Sequence, residues 1–452
     1  GSIDDESAPV SPLSEPGYPL PYPLTSAQKQ SLGQILHDLA GKNPMNRILQ
    51  GEVGSGKTVV AFLAMRHQVD HLHPGSQCAF MAPTEILALQ HHQNFLSVFP
   101  ELASQTAFLS GNTRTNERPE LLNRLLSGQT RFLFGTHALF QDSVTVPRLA
   151  LVVIDEQHRF GVEHRRALLR RGAQGGTAQS PHLLMISATP IPRSLALTVF
   201  GDLDVSIIQE LPPGRMPVVS KEARGREETL SFLQTVIRSG QQAFYICPLI
   251  EVSVKTAWAA VEESLLWLRS ALPEARVEAI SGAVPPPQRD QMLEEFRANR
   301  VHILVATTIV EVGVDFPNAT LMVIDNAERF GLSQLHQLRG RIGRGSHGGT
   351  CLFICPTVEG NERLKILLST ANGFEIAGED LRLRGPGDLV GTRQSGLNHP
   401  ALAHLEQPDR IMLARLRARK LLKDDPPEIR AWFLERMQES FGPDFECFME
   451  GG

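Results

Sequence analysis

Two α/β lobes in tandem, each built on a parallel β-sheet, followed by a helical C-terminal part, are the fold class that this sequence predicts. Three observations carry the prediction. Short continuous apolar runs recur with amphipathic helical stretches between them, the pattern of strands buried on both faces. A Pro/Gly break at 211–215 divides these runs into two sets. After about residue 360 the runs stop, and helical periodicity and a Gly-rich stretch take over.

The first set comprises 47–50, 78–84, 131–136, 150–155 and 182–189. The second comprises 242–250, 276–282, 302–308, 320–325 and 350–356. Strands that alternate with helices in this way pair in parallel through crossovers. Residues 1–24 have no apolar period. Their six prolines and the acids Asp4, Asp5, Glu6 and Glu15 predict a disordered acidic tail. The expected division is a tail over 1–24, a first lobe over 25–212, a second lobe over 213–360, and a coupling segment with C-terminal helices over 361–452.

The 452 residues carry 44 basic and 49 acidic side chains, a net charge of −5. That balance excludes a wholly basic nucleic-acid binder and leaves room for local basic grooves. No apolar run reaches the ~18 residues of a membrane span, and the first residues lack a signal-peptide pattern. The expected location is cytoplasmic. The five cysteines, Cys78, Cys247, Cys351, Cys355 and Cys447, form no CxxC pair. They read as free thiols in a reducing compartment, with Cys351 and Cys355 in a buried strand rather than a metal site.

Gly51-Glu-Val-Gly-Ser-Gly-Lys-Thr58 fits the phosphate-loop pattern G-x-x-x-x-G-K-[ST]. Gly51, Gly54, Ser55 and Gly56 form a loop whose N–H groups close around phosphate oxygens, and the following helix adds its dipole. Lys57 places a charge on the β/γ phosphates, and the Thr58 hydroxyl can ligate Mg²⁺. Asp155 ends an apolar strand, where an acid can hold Mg²⁺. Its neighbour Glu156 is placed to act as general base on an attacking water. His158, His91 and His92 read as ordinary surface or core histidines. In the second lobe Arg341 and Arg344 stand i, i+3 in Gln337-Leu-Arg-Gly-Arg-Ile-Gly-Arg344, a spacing suited to neutralising a γ-phosphate. With Lys57 on one lobe and these arginines on the other, ATP is expected between the lobes, closing them on binding.

The motif series resembles the superfamily 2 helicases, and within them the bacterial RecG branch-migration helicases. Residues 24–28 resemble the adenine-reading glutamine motif, with Gln28 as its glutamine. Residues 51–58 are similar to motif I, 82–92 to Ia, 135–141 to Ib, 155–162 to II, 187–196 to III, 247–253 to IV, 306–320 to V and 337–345 to VI. Residues 373–397 resemble the TRG (translocation in RecG) motif, a helical hairpin and loop that couples lobe closure to movement on duplex DNA. The resemblance covers about residues 24–397. It implies two RecA-like lobes followed by this hairpin, with ATP and Mg²⁺ as cofactors. It implies nucleotide contacts from Gly313 and Asp315. It further implies DNA-backbone contacts or coupling from Thr84, Glu85, Thr136, Thr307, Gln337, Arg382, Arg384, Arg393 and Gln394.

The implied activity is an ATP-dependent duplex-DNA translocase or helicase acting on stalled forks and Holliday junctions in recombination and repair. It is expected as a monomer in the bacterial nucleoid, with single-stranded-DNA-binding protein as a further partner. Two departures stand out. Prolines occupy 285–287, where the family has a polar, lysine-containing stretch, which puts DNA contact there in doubt. The N-terminal wedge domain typical of the family has no counterpart, so the chain reads as the motor alone. The rivals are a transcription-repair translocase of the Mfd kind, disfavoured by the absence of an evident polymerase-binding module and by the RecG-like wording of 385–394, an RNA helicase, and a DNA-binding module without independent unwinding.

Overall fold

The computed structural model describes residues 17–113, 116–141, 143–155, 180–188, 203–212, 216–248, 254–281, 284–307, 315–345, 347–356 and 358–384, with short helical pieces beyond 412. In the first lobe the order is α1 (Ser26–Leu39), β1 (Asn46–Gly51), α2 (Lys57–His67), β2 (Gln77–Met81), α3 (Glu85–Val98), β3 (Thr106–Leu109), α4 (Arg118–Ser127), β4 (Phe132–Gly135), β5 (Leu149–Asp155), β6 (His182–Ser187) and β7 (Asp204–Ile208). In the second it is β8 (Val219–Ala223), α5 (Arg226–Arg238), β9 (Gln242–Ile246), α6 (Val254–Ala271), β10 (Val277–Ile280), α7 (Pro286–Arg297), β11 (Ile303–Ala306), β12 (Ala319–Ile324), α8 (Leu332–Arg339) and β13 (Thr350–Ile354). Helices α9 (Val358–Ser369) and α10 (Gly373–Arg384) follow.

Each lobe has one parallel sheet. Their strand orders are β3-β4-β2-β5-β6-β1-β7 and β10-β11-β9-β12-β13-β8. Both faces of each sheet are covered. Leu49, Phe80, Val153 and Leu184 meet α1, α2 and α3 on one side of the first sheet, while Ile48, Met81, Ile154 and Met185 form a separate core on the other. The second sheet divides its apolar residues in the same way. This explains why the central strands are unbroken apolar runs.

Three strands lie outside the sequence-predicted set: β3, β7 and β8. All three are sheet edges. β8 reads Val-Ser-Lys-Glu-Ala and exposes most of its length, so it has no apolar run to detect. For β7 and β8 the reason is that an edge strand shares only one flank with the sheet and tolerates polar residues, whereas β3, Thr-Ala-Phe-Leu, is mostly buried but only four residues long. The expected tail also differs. Residues 17–24 lie against the first lobe: Leu20 and Leu24 pack on its core, and the Arg66 guanidinium sits 4.1 Å from the centroid of the Tyr18 ring. Residues 1–16 lie outside the described part.

Local caps match local chemistry. Thr25 and Gln28 form a reciprocal capping box at the start of α1. Pro285–Pro287, the departure noted in the sequence, open α7, where a missing N–H costs nothing. Cys351 lies in β13 as expected, its thiol pushed up to about 12 by burial. No helix among the described residues is long and apolar enough to cross a membrane.

Candidate functional site

The phosphate loop leaves β1 at the carboxyl edge of the first sheet, where ligands of open α/β sheets bind. Gly54 and Gly56 have φ of 81° and 82°, the left-handed region that favours glycine. Gly51 is needed for a different reason, close approach. A Cβ there would stand 2.7 Å from the Ile208 carbonyl of β7 and 2.6 Å from Ser55 Oγ. Helix α2 begins at Gly56 without a side-chain cap. Its first N–H groups therefore face the loop, with the positive end of the helix dipole behind them. Ser55 Oγ is buried with no hydrogen-bond partner in the protein, a polar atom suited to a phosphate or its metal.

Lys57 is buried and donates to the carbonyls of Gly51 (2.9 Å) and Glu52 (2.7 Å), which keeps its ammonium inside the loop. Gln28 donates from Nε2 to the Ser55 carbonyl at 2.8 Å, while its Oε1 accepts from Thr25 N–H at 2.8 Å. Both ends of the amide are thus engaged, and Gln28 braces the phosphate loop against α1.

Asp155 ends β5 and bonds His91 Nε2 through Oδ2 at 2.8 Å. Burial alone would raise its carboxyl. The His91 bond and the positive fields of Lys57 and Arg341 outweigh that and hold it below the usual carboxylate range. Asp155 thus stands within electrostatic reach of a lysine from its own lobe and an arginine from the other. Sequence reasoning gave His91 no role. Its signal was position: Leu87, Ala88, His91 and Phe95 form the buried stripe of α3, so this histidine faces the sheet rather than solvent. Glu156 and His158 lie outside the described residues.

The second lobe meets the loop through α8 and the turn after it. Arg341 is buried. Arg344 pairs with Asp315 and donates from Nε to the Gly340 carbonyl at 3.1 Å. Asp315 is also clasped by Gln90 of α3. Gln90 Nε2 donates to Asp315 Oδ2, and Asp315 N–H donates to Gln90 Oε1, both at 3.2 Å. Gly340 lies flat on the phosphate loop, and a Cβ there would stand 2.9 Å from Val53 Cβ. Glu52 reaches across as well. Its Oε2 bonds His336 Nε2 of α8 at 2.7 Å, and its Oε1 accepts from the Gly373 N–H that opens α10. Neither Glu52 nor His336 is signalled by the phosphate-loop pattern, whose x positions admit any residue.

Other expected residues take less direct places. Thr84 caps α3 by accepting from Leu87 N–H, and Thr136 accepts from Ala138 N–H at the 3₁₀ turn His137–Phe140. Their hydroxyls are committed to capping these turns. Glu85 accepts from Ser110 and Asn112. Thr307 follows β11, its hydroxyl buried and without a hydrogen-bond partner among the described residues. Gln337 is buried on α8. Arg382 is exposed and pairs with Glu379 one turn earlier, a pair of little energetic weight. Arg384 is the last residue of α10. Gly313, Arg393 and Gln394 lie outside the described residues.

A phosphate loop, a strand-end aspartate and a facing pair of arginines, carried by two parallel-sheet lobes, define a tandem RecA-like motor of the helicase type. The comparisons then narrow the class. Residues 25–198 match the DEAD/DEAH box helicase family model and 228–346 the helicase conserved C-terminal domain. Residues 370–432 match the model "ATP-dependent DNA helicase RecG, domain 3, C-terminal". The chain is 45% identical over 434 residues to the ATP-dependent DNA helicase RecG of Synechocystis, covering 94% of this chain and 51% of that protein. To RecG of Escherichia coli it is 42% identical over 429 residues, covering 93% and 61%. A structure of RecG bound to a three-way DNA junction matches with a TM-score of 0.71 and 40% identity, over 86% of this chain and 51% of that one. The chain belongs to the RecG-type superfamily 2 helicases. It spans about half to three-fifths of the length of these relatives.

Proposed function

We propose that this chain is an ATP-driven duplex-DNA translocase, the motor of an enzyme that remodels stalled forks and Holliday junctions in recombination and repair. One observation carries the reading: the second lobe closes directly on the phosphate loop, Gly340 lying against Val53 and His336 bonding Glu52 at 2.7 Å. A nucleotide held beside Asp155 would touch both lobes, so its binding favours closure and its hydrolysis favours opening.

In this reading Lys57 and the N–H groups of Gly54, Ser55 and Gly56 hold the β and γ phosphates. Thr58 and Asp155 would hold Mg²⁺, which supplies charge neutralisation for the phosphates when bound. The set fits the ion, because Asp155 is kept ionised at the end of β5, beside the phosphate loop that carries Thr58. Glu156 takes the proton of the attacking water. Arg341 and Arg344 neutralise charge that develops on the γ-phosphate. Gln28 holds the loop edge and is assigned to the adenine, with Gly313 and Asp315 contributing from the second lobe.

Thr84, Thr136 and Thr307 serve the DNA backbone. Gln337, Arg382, Arg384, Arg393 and Gln394 serve coupling. Contacts of this kind read no sequence, which suits a motor that steps along any duplex. The similarity to ATP-dependent DNA helicases RecG, and the three-way junction bound by the matched RecG structure, support branched DNA as the substrate class. We further assign a monomer in the bacterial cytoplasm, associated with the nucleoid and with single-stranded-DNA-binding protein as a partner. The test is ATP turnover with duplex DNA, branched DNA or RNA added in turn. Duplex or branched DNA should stimulate most, and stronger stimulation by RNA would sink the assignment.

A further inference from the structure

We propose that Glu52, His336 and Arg339 form a buried relay through which the phosphate loop controls the first turn of α10, and that His336 is its positioning residue. The inference rests on the nucleotide-driven reading above and adds the route by which the nucleotide reaches the segment after the second lobe.

The chain of contacts is continuous. Lys57 Nζ donates to the Glu52 carbonyl. The Glu52 carboxylate binds His336 Nε2 on α8 and the Gly373 N–H on α10. His336 Nδ1 meets Arg339 Nη2 at 2.9 Å. Arg339 Nη1 in turn donates to the carbonyls of Leu367 and Thr370, at 2.8 and 2.9 Å, at the end of α9. Every link from the phosphate loop to the α9–α10 turn is therefore a hydrogen bond among buried or half-buried groups.

The polarity of the relay is fixed by chemistry. A guanidinium only donates, so His336 Nδ1 must accept. The imidazole proton then sits on Nε2 and is donated to Glu52. His336 is thus a one-way connector between the Glu52 carboxylate and a buried guanidinium. Glu52 uses one oxygen for each partner, so the loop holds α8 and α10 together. A phosphate in the loop would compete for Lys57, which now holds the Gly51 and Glu52 carbonyls. Releasing those carbonyls lets the backbone at Glu52 move, and its side chain carries that movement to Gly373. Asp380 keeps α10 on α8 by accepting from Ser333 Oγ at 2.9 Å, so α10 responds as a body.

The test is hydrogen exchange at 370–376 in the full chain, with and without a non-hydrolysable ATP analogue and Mg²⁺, alongside a fluorescent-nucleotide titration. In the unsubstituted chain the analogue should change exchange there by about tenfold, the scale of one buried charge-assisted hydrogen bond. His336→Leu removes both links and should abolish the response while nucleotide affinity stays within about threefold. His336→Gln offers an acceptor to Arg339 and a donor to Glu52, and should restore the response. Circular dichroism melting establishes that both variants fold, and Arg339→Lys replaces His336→Leu if that variant does not. Nucleotide binding with no exchange response at 370–376, or an undiminished response in His336→Leu, overturns the relay and leaves the ATP-site assignment standing. No nucleotide binding by the unsubstituted chain overturns the assignment itself, and the relay with it.

Discussion

In the first lobe β5 ends in Leu151-Val-Val-Ile-Asp155. In the second, β12 holds the same place in its sheet and runs Leu321-Met-Val-Ile into Asp325. The two carboxylates are used in opposite ways. Asp155 bonds His91 and lies beside the phosphate loop that follows β1. Asp325 is almost fully buried. It takes Arg226 Nε and Nη2 at 2.8 and 2.7 Å, Tyr245 OH at 3.3 Å and Asn326 Nδ2 at 3.0 Å. Where β1 leads into a glycine loop and Lys57, the matching β8 leads into Arg224-Gly225-Arg226. Arg226 supplies from the protein itself the positive charge that a nucleotide's metal would supply in the first lobe. One scaffold therefore sets its strand-end aspartate beside the phosphate loop in one lobe and in a buried ion pair in the other. The lobes also share a purely structural device. Gln77 opens β2 and Gln242 opens β9, and each Nε2 donates to two carbonyls of a neighbouring helix end and loop.

The sharpest way to break this comparison is to remove a charge from each side of it. Lys57→Ala should lower ATP turnover by on the order of 10³-fold or more, and Arg341→Ala by about 10²–10³-fold, both with unfolding midpoints nearly unchanged. Normal turnover in Lys57→Ala would remove the phosphate-loop assignment.

Arg226→Ala should do the reverse. It leaves Asp325 buried without its cation and should cost about 2–4 kcal/mol of stability, below the upper range for buried pairs because Arg226 is partly exposed. Turnover per folded molecule should hold. Thermal melting and active-site titration separate the two effects, and loss of turnover without loss of stability would make Asp325 a functional group after all.

The smallest expected effect is on pH. Burial works against the Glu52 charge, but the His336 bond, the Gly373 N–H and the Lys57 field hold its carboxyl below the ordinary value. A carboxylate lowered on folding contributes stability that is complete above its unfolded value of about 4.3 and is lost as pH falls through the lowered folded value. Glu52→Gln should therefore lower stability by about 1–2 kcal/mol near neutrality. That difference should close as the solution is acidified below about pH 4. A difference that persists unchanged into acid would show that the Glu52 charge is not what holds α10.

Much of the molecule was legible in the chain because its signals are local. Gly51 to Thr58 encodes the loop in eight consecutive residues, since the geometry of a phosphate cradle is a matter of adjacent φ angles and N–H groups. Central strands such as β5 and β12 announce themselves because burial on both faces demands unbroken apolar runs. The edge strands β7 and β8 carry no such demand, β3 is only four residues long, and residues 17–24 read as a tail because prolines separate their apolar side chains Tyr18, Leu20, Tyr22 and Leu24.

What the sequence determined by itself was the two-lobed class, the phosphate loop, and the pairing of Lys57 and Asp155 on one lobe with Arg341 and Arg344 on the other. Only the tertiary structure decided which polar residues meet. His91 with Asp155, Gln90 with Asp315 and Glu52 with His336 and Gly373 are contacts between positions 64 to 321 residues apart. Each partner taken alone is an ordinary surface-type residue. Its role arises from the packing that holds it against a group of matching hydrogen-bond polarity, within the first lobe for His91 and Asp155 and across the lobes for Gln90 with Asp315 and Glu52 with His336, and no local pattern encodes that packing.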